Sequence, residues 1–133
     1  MKCPTDKHEL VVASTESRTG WKCSNCSGVW LPKTFISAFH LTHPGFVFPF
    51  YEGLVLSTIG TSSLECPEGH GVLQKSVSND IELDWCKPCQ GVWFDEGELK
   101  SLVESISEKD ETPFGWPNIA IELFIWMGIL SAG

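Results

Sequence analysis

The chain has 133 residues, 42% of them hydrophobic, which suits one ordinary domain or two very small ones and excludes disorder over the whole length. Acidic residues outnumber basic ones by 17 to 9, giving a formal net charge of −8. This balance argues against a protein that binds the phosphate backbone of nucleic acids, because such proteins need clustered lysines and arginines.

The first unit, residues 1–43, begins with Cys3-Pro4 and reaches a C-x-x-C pair at Cys23. A short apolar strand at residues 10–12 and a polar turn between these two points predict a β-hairpin that joins two ligand-bearing turns, the plan of a zinc ribbon. Pro32 suits the first turn of a helix, and the apolar residues after it mark one helical face: Phe35, Ile36 and Phe39.

The connecting segment, residues 44–63, is apolar, aromatic and interrupted by prolines. It is too apolar for a solvated linker, so we expect it to pack on the ribbons and join them into one body. A short helix around residues 51–59 is one expectation for this segment.

The second unit, residues 64–107, repeats the first with a period of 63 residues, the distance from Cys3 to Cys66. The period holds without a gap and indicates an internal duplication. Residues 78–80, Ser-Asn-Asp, supply the turn of the second hairpin. Asp95 is a suitable N-cap, and Glu98 three residues later predicts a capping box at the start of a second helix.

The C-terminal part divides into a charged linker, residues 108–118, and an apolar helix, residues 119–133. A helix of that length reaches about 22 Å, less than the roughly 30 Å hydrocarbon core of a bilayer. Three interpretations stay open: a helix packed on the connecting segment, a membrane-associated anchor, or the first part of a transmembrane helix in a longer protein. The first residues lack the apolar stretch of a secretory signal, and we expect a cytoplasmic chain, at the inner face of a membrane if the helix is an anchor.

The cysteines carry the clearest chemistry, because all six fall in the two units, three in each. In a reduced chain this spacing favours metal over disulfides, and Zn²⁺ is the natural ion for sulfur-rich sites. We therefore expect two zinc ions per chain. The second site is predicted from Cys66, His70, Cys86 and Cys89. The first combines Cys3, Cys23 and Cys26 with either His8 or Asp6, and we prefer His8 because imidazole is the commoner partner of three thiolates.

The sequence from Cys66-Pro67 through Cys86-Lys87-Pro88-Cys89-Gln90-Gly91-Val92-Trp93-Phe94-Asp95-Glu96-Gly97-Glu98-Leu99 resembles the transcription-factor-IIB-like zinc-ribbon family of bacteria. The resemblance extends to the first unit, which lacks the D-x-G-E-L part, and both units depart from the family's CPxC at Asp6 and Gly69. It implies a small zinc-ribbon module, in some members attached to membrane domains such as rhomboid-type intramembrane proteases.

These observations predict a small, metal-stabilised α+β protein: two zinc ribbons, each followed by a short helix, joined by an apolar linker and ending in an apolar helix. Trp30 and Trp93 are expected to pack each against its own knuckle and helix, and His40 and His43 to lie outside the sites.

Closed four-ligand sites are structural, so we expect a non-enzymatic module that presents a surface to a protein partner, with the cytoplasmic head of a membrane protein as one form of it. The alternatives are a nucleic-acid-binding regulator, which would use the basic residues of the first unit, and a thiol redox or zinc-release sensor.

Overall fold

The computed structural model describes residues 1–14, 19–38, 45, 47–78 and 80–98. In this part of the chain the protein is mostly antiparallel β-sheet, with less helix than the sequence predicts. The elements are β1 Leu10–Ser14, β2 Thr19–Cys23, β3 Val29–Leu31, α1 Lys33–Ser37, α2 Val47–Leu56, β4 Thr58–Glu65, β5 Val72–Ser78, β6 Ile81–Trp85 and β7 Val92–Phe94.

All seven strands form one sheet in the order β1-β2-β3-β7-β6-β5-β4. Each unit contributes the hairpin expected from its sequence. In the first, Leu10 lies opposite Cys23, and in the second, Gln74 lies opposite Trp85. Asp80 has a φ of 64° at the turn of the second hairpin, a conformation that aspartate tolerates better than most side chains.

The two units meet at the centre of the sheet, where β3 pairs antiparallel with β7. Trp30 lies opposite Trp93, with Val29 opposite Phe94 on one side of this pair and Leu31 opposite Val92 on the other. Because all six residues are buried, this short ladder joins the two units through core side chains rather than through an exposed contact.

Alternate side chains of β3 and β7 point to opposite faces of the sheet, and each face has its own core. The helices cover one face and form the helix-side core: Val29, Leu31, Phe35, Ile36, Phe50, Tyr51, Leu54, Ile81, Leu83, Trp85, Val92 and Phe94. The other face carries the thiol-side core: Cys3, Leu10, Cys23, Trp30, Cys66, Leu73, Cys86 and Trp93.

The connecting segment is more regular than its sequence suggests. Its helix, α2, begins at Val47 and ends at Leu56, rather than running over residues 51–59. The segment then continues directly into β4, which pairs with β5 and crosses the boundary predicted between residues 63 and 64. Tyr51 anchors α2 to the second unit by donating a hydrogen bond from its hydroxyl to the carbonyl oxygen of Gln90 at 2.7 Å.

Several predicted features lie outside the described residues. They are most of the helix after Cys89, the linker at residues 108–118, the apolar helix at residues 119–133, and His40 and His43. Among the residues that are described, no helix has the length and apolar character needed to cross a bilayer.

Candidate metal centres

The two C-x-x-C knuckles fold as the same turn. In the first, the Cys23 amide donates to the carbonyl oxygen of Gly28 at 2.9 Å, and the Ser27 amide donates to that of Cys23 at 3.0 Å. The knuckle that starts at Cys86 makes the same two bonds, at 2.9 and 2.7 Å. In both, the residue after the second cysteine has a positive φ near 60°, which closes the turn and keeps the two thiols on one side.

The turn at Cys3 has the geometry of these knuckles, although it contains only one cysteine. The Lys7 amide donates to the Cys3 carbonyl oxygen at 3.0 Å, the Cys3 amide donates to that of His8 at 2.8 Å, and Lys7 has a φ of 67°. Asp6 therefore occupies the place that the second cysteine takes in a C-x-x-C knuckle, and His8 lies on the return of the turn.

The turn at Cys66 is tighter. Here the amide of Gly69, one residue earlier than in the other three turns, donates to the Cys66 carbonyl oxygen at 3.0 Å. Gly69 and Gly71 have φ values of 86° and 92°, which a side chain would disfavour. These two glycines bracket His70 and bring its ring, rather than the residue at position 69, toward the thiols.

The second donor set has the dimensions of a zinc site. The structure brings Cys66, His70, Cys86 and Cys89 together with every donor atom within 4.8 Å of the others. Cys66 Sγ lies 3.8 Å from Cys89 Sγ and 3.4 Å from His70 Nδ1. A zinc ion at about 2.3 Å from each sulfur in a tetrahedron places the sulfurs about 3.8 Å apart, so these side chains fit zinc as they stand.

The first donor set consists of Cys3, Asp6, Cys23 and Cys26, again with all donor atoms within 4.8 Å of one another. Cys3 Sγ lies 3.6 Å from Cys26 Sγ, and Cys23 Sγ lies 3.4 Å from Asp6 Oδ2. Three sulfurs and one carboxylate oxygen are an acceptable tetrahedral set for zinc. The prediction of two groups that could hold zinc is confirmed.

His8, our preferred ligand from the sequence, is not part of the first group in this structure. Its side chain is 57% exposed, and its Nδ1 lies 3.2 Å from Asp6 Oδ1. Asp6 also accepts hydrogen bonds from Asn25 Nδ2 at 2.8 Å and from the His8 amide at 3.0 Å. These bonds hold the pKa of Asp6 well below its usual range, so the carboxylate is ionised and oriented. The turn geometry explains the difference, because position 6, three residues after Cys3, faces the thiols.

Burial makes four of the thiols poorer acids when no cation is present. It raises the pKa of Cys26 to about 12, and it also raises the pKa values of Cys3, Cys86 and Cys89. Their sulfurs bind metal as thiolates, so binding must displace protons. All six cysteines are free thiols, as expected for a metal site rather than a disulfide framework.

Trp30 and Trp93 are fully buried beside the thiols, and each packs against the knuckle of the other unit, a contact that we did not expect. The six-membered ring of Trp30 covers Gly91, the glycine after the second knuckle, and the ring of Trp93 covers Gly28 after the first. Sequence reasoning missed this exchange because it depends on the pairing of β3 with β7, for which the local sequence gives no signal.

A β-hairpin between two ligand-bearing turns, with four protein donors at zinc dimensions, defines the zinc-ribbon class of metal-binding modules. In agreement, residues 65–105 match the model of the TFIIB-type zinc-ribbon family, described as a transcription factor zinc-finger. A search of curated proteins found no match, and neither did a search of solved structures. The family match thus covers the second unit and includes Cys66, His70, Cys86 and Cys89.

Proposed function

We propose that this chain is a non-enzymatic zinc-binding module in which two structural zinc ions hold one sheet together, and that α2 and the start of β4 present an apolar surface to a protein partner. The observation that carries the proposal is the closed donor set at each site. Four protein atoms surround each position, whereas catalytic zinc sites keep one position for water or substrate.

Size also supports a structural role for the metal. A hairpin and two turns bury too little apolar surface to fold alone, and zinc binding supplies the missing free energy in domains of this kind. Elemental analysis of the purified chain is expected to give two zinc ions per molecule. Zero or one zinc would refute the two-site module, and a sheet that survives complete zinc removal, followed by circular dichroism, would refute the structural role.

The proposed partner surface lies on α2 and the start of β4. Phe48 and Leu56 are 76% and 77% exposed, and Ile59 is 66% exposed, with Val55 beside them. Large apolar side chains grouped in this way on a small, acidic protein are typical of a surface that another protein covers. The opposite edge of the sheet offers a matched control, because β1 also exposes valines at positions 11 and 12.

A photo-crosslinker at position 48 is expected to capture one saturable partner. Phe48→Ser combined with Leu56→Ser should abolish binding of that purified partner, while Val12→Ser should leave its Kd unchanged. Equal loss in both variants, or no loss in the first, would contradict the assignment of the surface to α2.

In a more specific form of this proposal, the module is the cytoplasmic head of a membrane protein, and residues 119–133 attach it to the membrane. Their apolar character supports it, with Glu122 as their only charged residue. In cells, the full chain is expected to sediment with membranes and a chain that ends at residue 118 to stay in the supernatant. Sedimentation of both chains, or of neither, would contradict this form.

A nucleic-acid-binding regulator is the second candidate, favoured by the description of the matching family as a transcription factor zinc-finger. The net charge of −8 weighs against it. Mobility shift on DNA and RNA at low salt decides between them. Binding that weakens steeply as salt is raised would establish the regulator, and absence of binding at low salt would remove it.

A further inference from the structure

The centre of the sheet links the two metal sites through side chains that cross from one unit to the other. Trp30 belongs to the first unit, yet its ring lies over Gly91, two residues after Cys89 of the second site. A Cβ at Gly91 would overlap that ring, and a Cβ at Gly28 would overlap the ring of Trp93 in the same way. Each knuckle therefore ends in a backbone surface that fits the tryptophan of the other unit.

Hydrogen bonds reinforce the first of these crossings. Trp30 Nε1 donates to Glu68 Oε2 at 3.3 Å, and the same carboxylate oxygen lies 3.8 Å from Cys89 Sγ. Glu68 sits in the turn between Cys66 and His70, so the first unit's tryptophan contacts both ligand-bearing turns of the second site.

The second crossing uses a different acceptor. Trp93 Nε1 donates to Asp95 Oδ1 at 2.8 Å, and the hydroxyl of Thr5, in the turn between Cys3 and Asp6, lies 3.5 Å from that oxygen. The second unit's tryptophan is thus joined to the turn that carries two donors of the first site.

The two sites also share one core. Two cysteines of each site, both tryptophans, Leu10 and Leu73 form a single buried cluster on the thiol side of the sheet. Ordering either knuckle orders part of the surface on which the other unit packs. The conformational cost of forming this core falls largely on whichever zinc ion binds first, so the second binds to a partly ordered site.

We propose that the two zinc sites are positively coupled through the crossed Trp30–Gly91 and Trp93–Gly28 contacts, so that the chain gains and loses its zinc ions as a pair. This rests on the structural role proposed above. It adds that a chain with one zinc is a minor species and that the donors of one unit control the zinc affinity of the other.

Counting zinc per chain tests the coupling. The apo chain is equilibrated in graded zinc buffers, and native mass spectrometry measures the fractions with zero, one and two zinc ions. The square of the one-zinc fraction, divided by the product of the other two fractions, cannot fall below about 4 for independent sites, however different their affinities. For sites of similar affinity we expect a value about 5- to 150-fold lower, the usual range of coupling between sites.

The crossed contacts are tested by Trp30→Phe combined with Trp93→Phe, which removes both six-membered indole rings and both donors while keeping aromatic residues in the core. This variant should raise the ratio to about 4 or above, the range of independent sites. The matched control is Trp85→Phe in the helix-side core, whose indole donates to Ser76 Oγ rather than to a ligand-bearing turn, and it should keep the low ratio.

The wild-type ratio alone can overturn the proposal, whatever the variants do. A value of 4 or more in a chain that binds two zinc ions means that the one-zinc form reaches about half of the chains or more at the midpoint, which refutes the pairwise gain and loss of zinc and leaves the structural role intact. Failure to bind two ions refutes the proposed function instead. A low ratio that persists in the double tryptophan variant refutes the assigned contacts.

Discussion

The fourth ligand of the first site gives the sharpest prediction, because sequence and structure favour different residues. Asp6→Ala removes the only non-sulfur donor of the set, an oxygen 3.4 Å from Cys23 Sγ. His8→Ala removes one exposed partner of that carboxylate and leaves the backbone amide of residue 8 and Asn25 in place. The two substitutions therefore separate a direct ligand from an outer one.

Loss of an outer partner of a metal ligand typically lowers affinity by 10- to 100-fold. His8→Ala should lie at or below the lower limit, since two of the three bonds to Asp6 remain. Asp6→Ala should weaken zinc binding by at least about 100-fold, or about 2.7 kcal/mol, because the ligand itself is lost.

Competition against a chromophoric zinc chelator at fixed pH measures both effects as the affinity of the more weakly held ion. His70→Ala serves as the reference for loss of a fourth ligand, since His70 is the non-sulfur donor of the second site. A large loss in His8→Ala with near-normal binding in Asp6→Ala would refute the assignment and restore the imidazole as the ligand.

Three further predictions concern stability and pH. Gly91→Ala should lower the free energy of unfolding of the zinc-loaded chain by about 1–3 kcal/mol, because the added Cβ overpacks the core against Trp30. In the double variant, Trp30→Phe should recover part of this loss, and thermal melts that show no recovery would contradict the contact between Trp30 and Gly91. Burial, with a contribution from Asp95, raises the pKa of Glu98 to about 8 from its ordinary value of 4.5. The folded state therefore holds this proton more tightly than the unfolded state, and the stability should fall as pH rises between these two values. Glu98→Gln should remove this fall in thermal melts, and parallel melting profiles of both chains over that pH range would count against the prediction. Because the buried thiols must lose their protons to bind zinc, the affinity should rise with pH, with about three protons released for each ion bound. Release of fewer than one proton per ion would mean that the thiols do not bind as thiolates.

Local features of the protein could be predicted from its sequence, and the long-range ones could not. The knuckles are predicted by cysteines three residues apart, and the second hairpin is predicted by alternating apolar residues and a Ser-Asn-Asp turn, so both features can be recognised in the sequence. Even Asp6 had a signal, since it stands three residues after Cys3 as Cys26 stands after Cys23. We preferred the imidazole of His8 because we compared the chemistry of the two donors and not the shape of the turn that carries them.

The pairing of β3 with β7 shows why the rest was out of reach. Val-Trp-Leu and Val-Trp-Phe are three-residue strands, too short to reveal their partners by alternation. The pairing of these two strands determines which glycine each tryptophan covers and joins the two hairpins into one sheet. Likewise, β4 begins two residues after α2 ends, and its sequence of small polar residues resembles a loop more than a strand.

The ladder between β3 and β7 has the symmetry of a dimer contact. Trp30 lies opposite its counterpart Trp93, and the residue before each tryptophan lies opposite the residue after the other, as when two identical strands meet antiparallel across a twofold axis. Within a single chain, the two sides of such a contact are free to acquire different residues. The protein shows this freedom, with His70 completing one metal group and Asp6 the other, and with Glu68 and Asp95 as unlike acceptors for the two indoles. In a homodimer of one such unit both halves would carry the same residues, whereas this chain combines the twofold arrangement of the β3–β7 ladder with a different donor set in each unit.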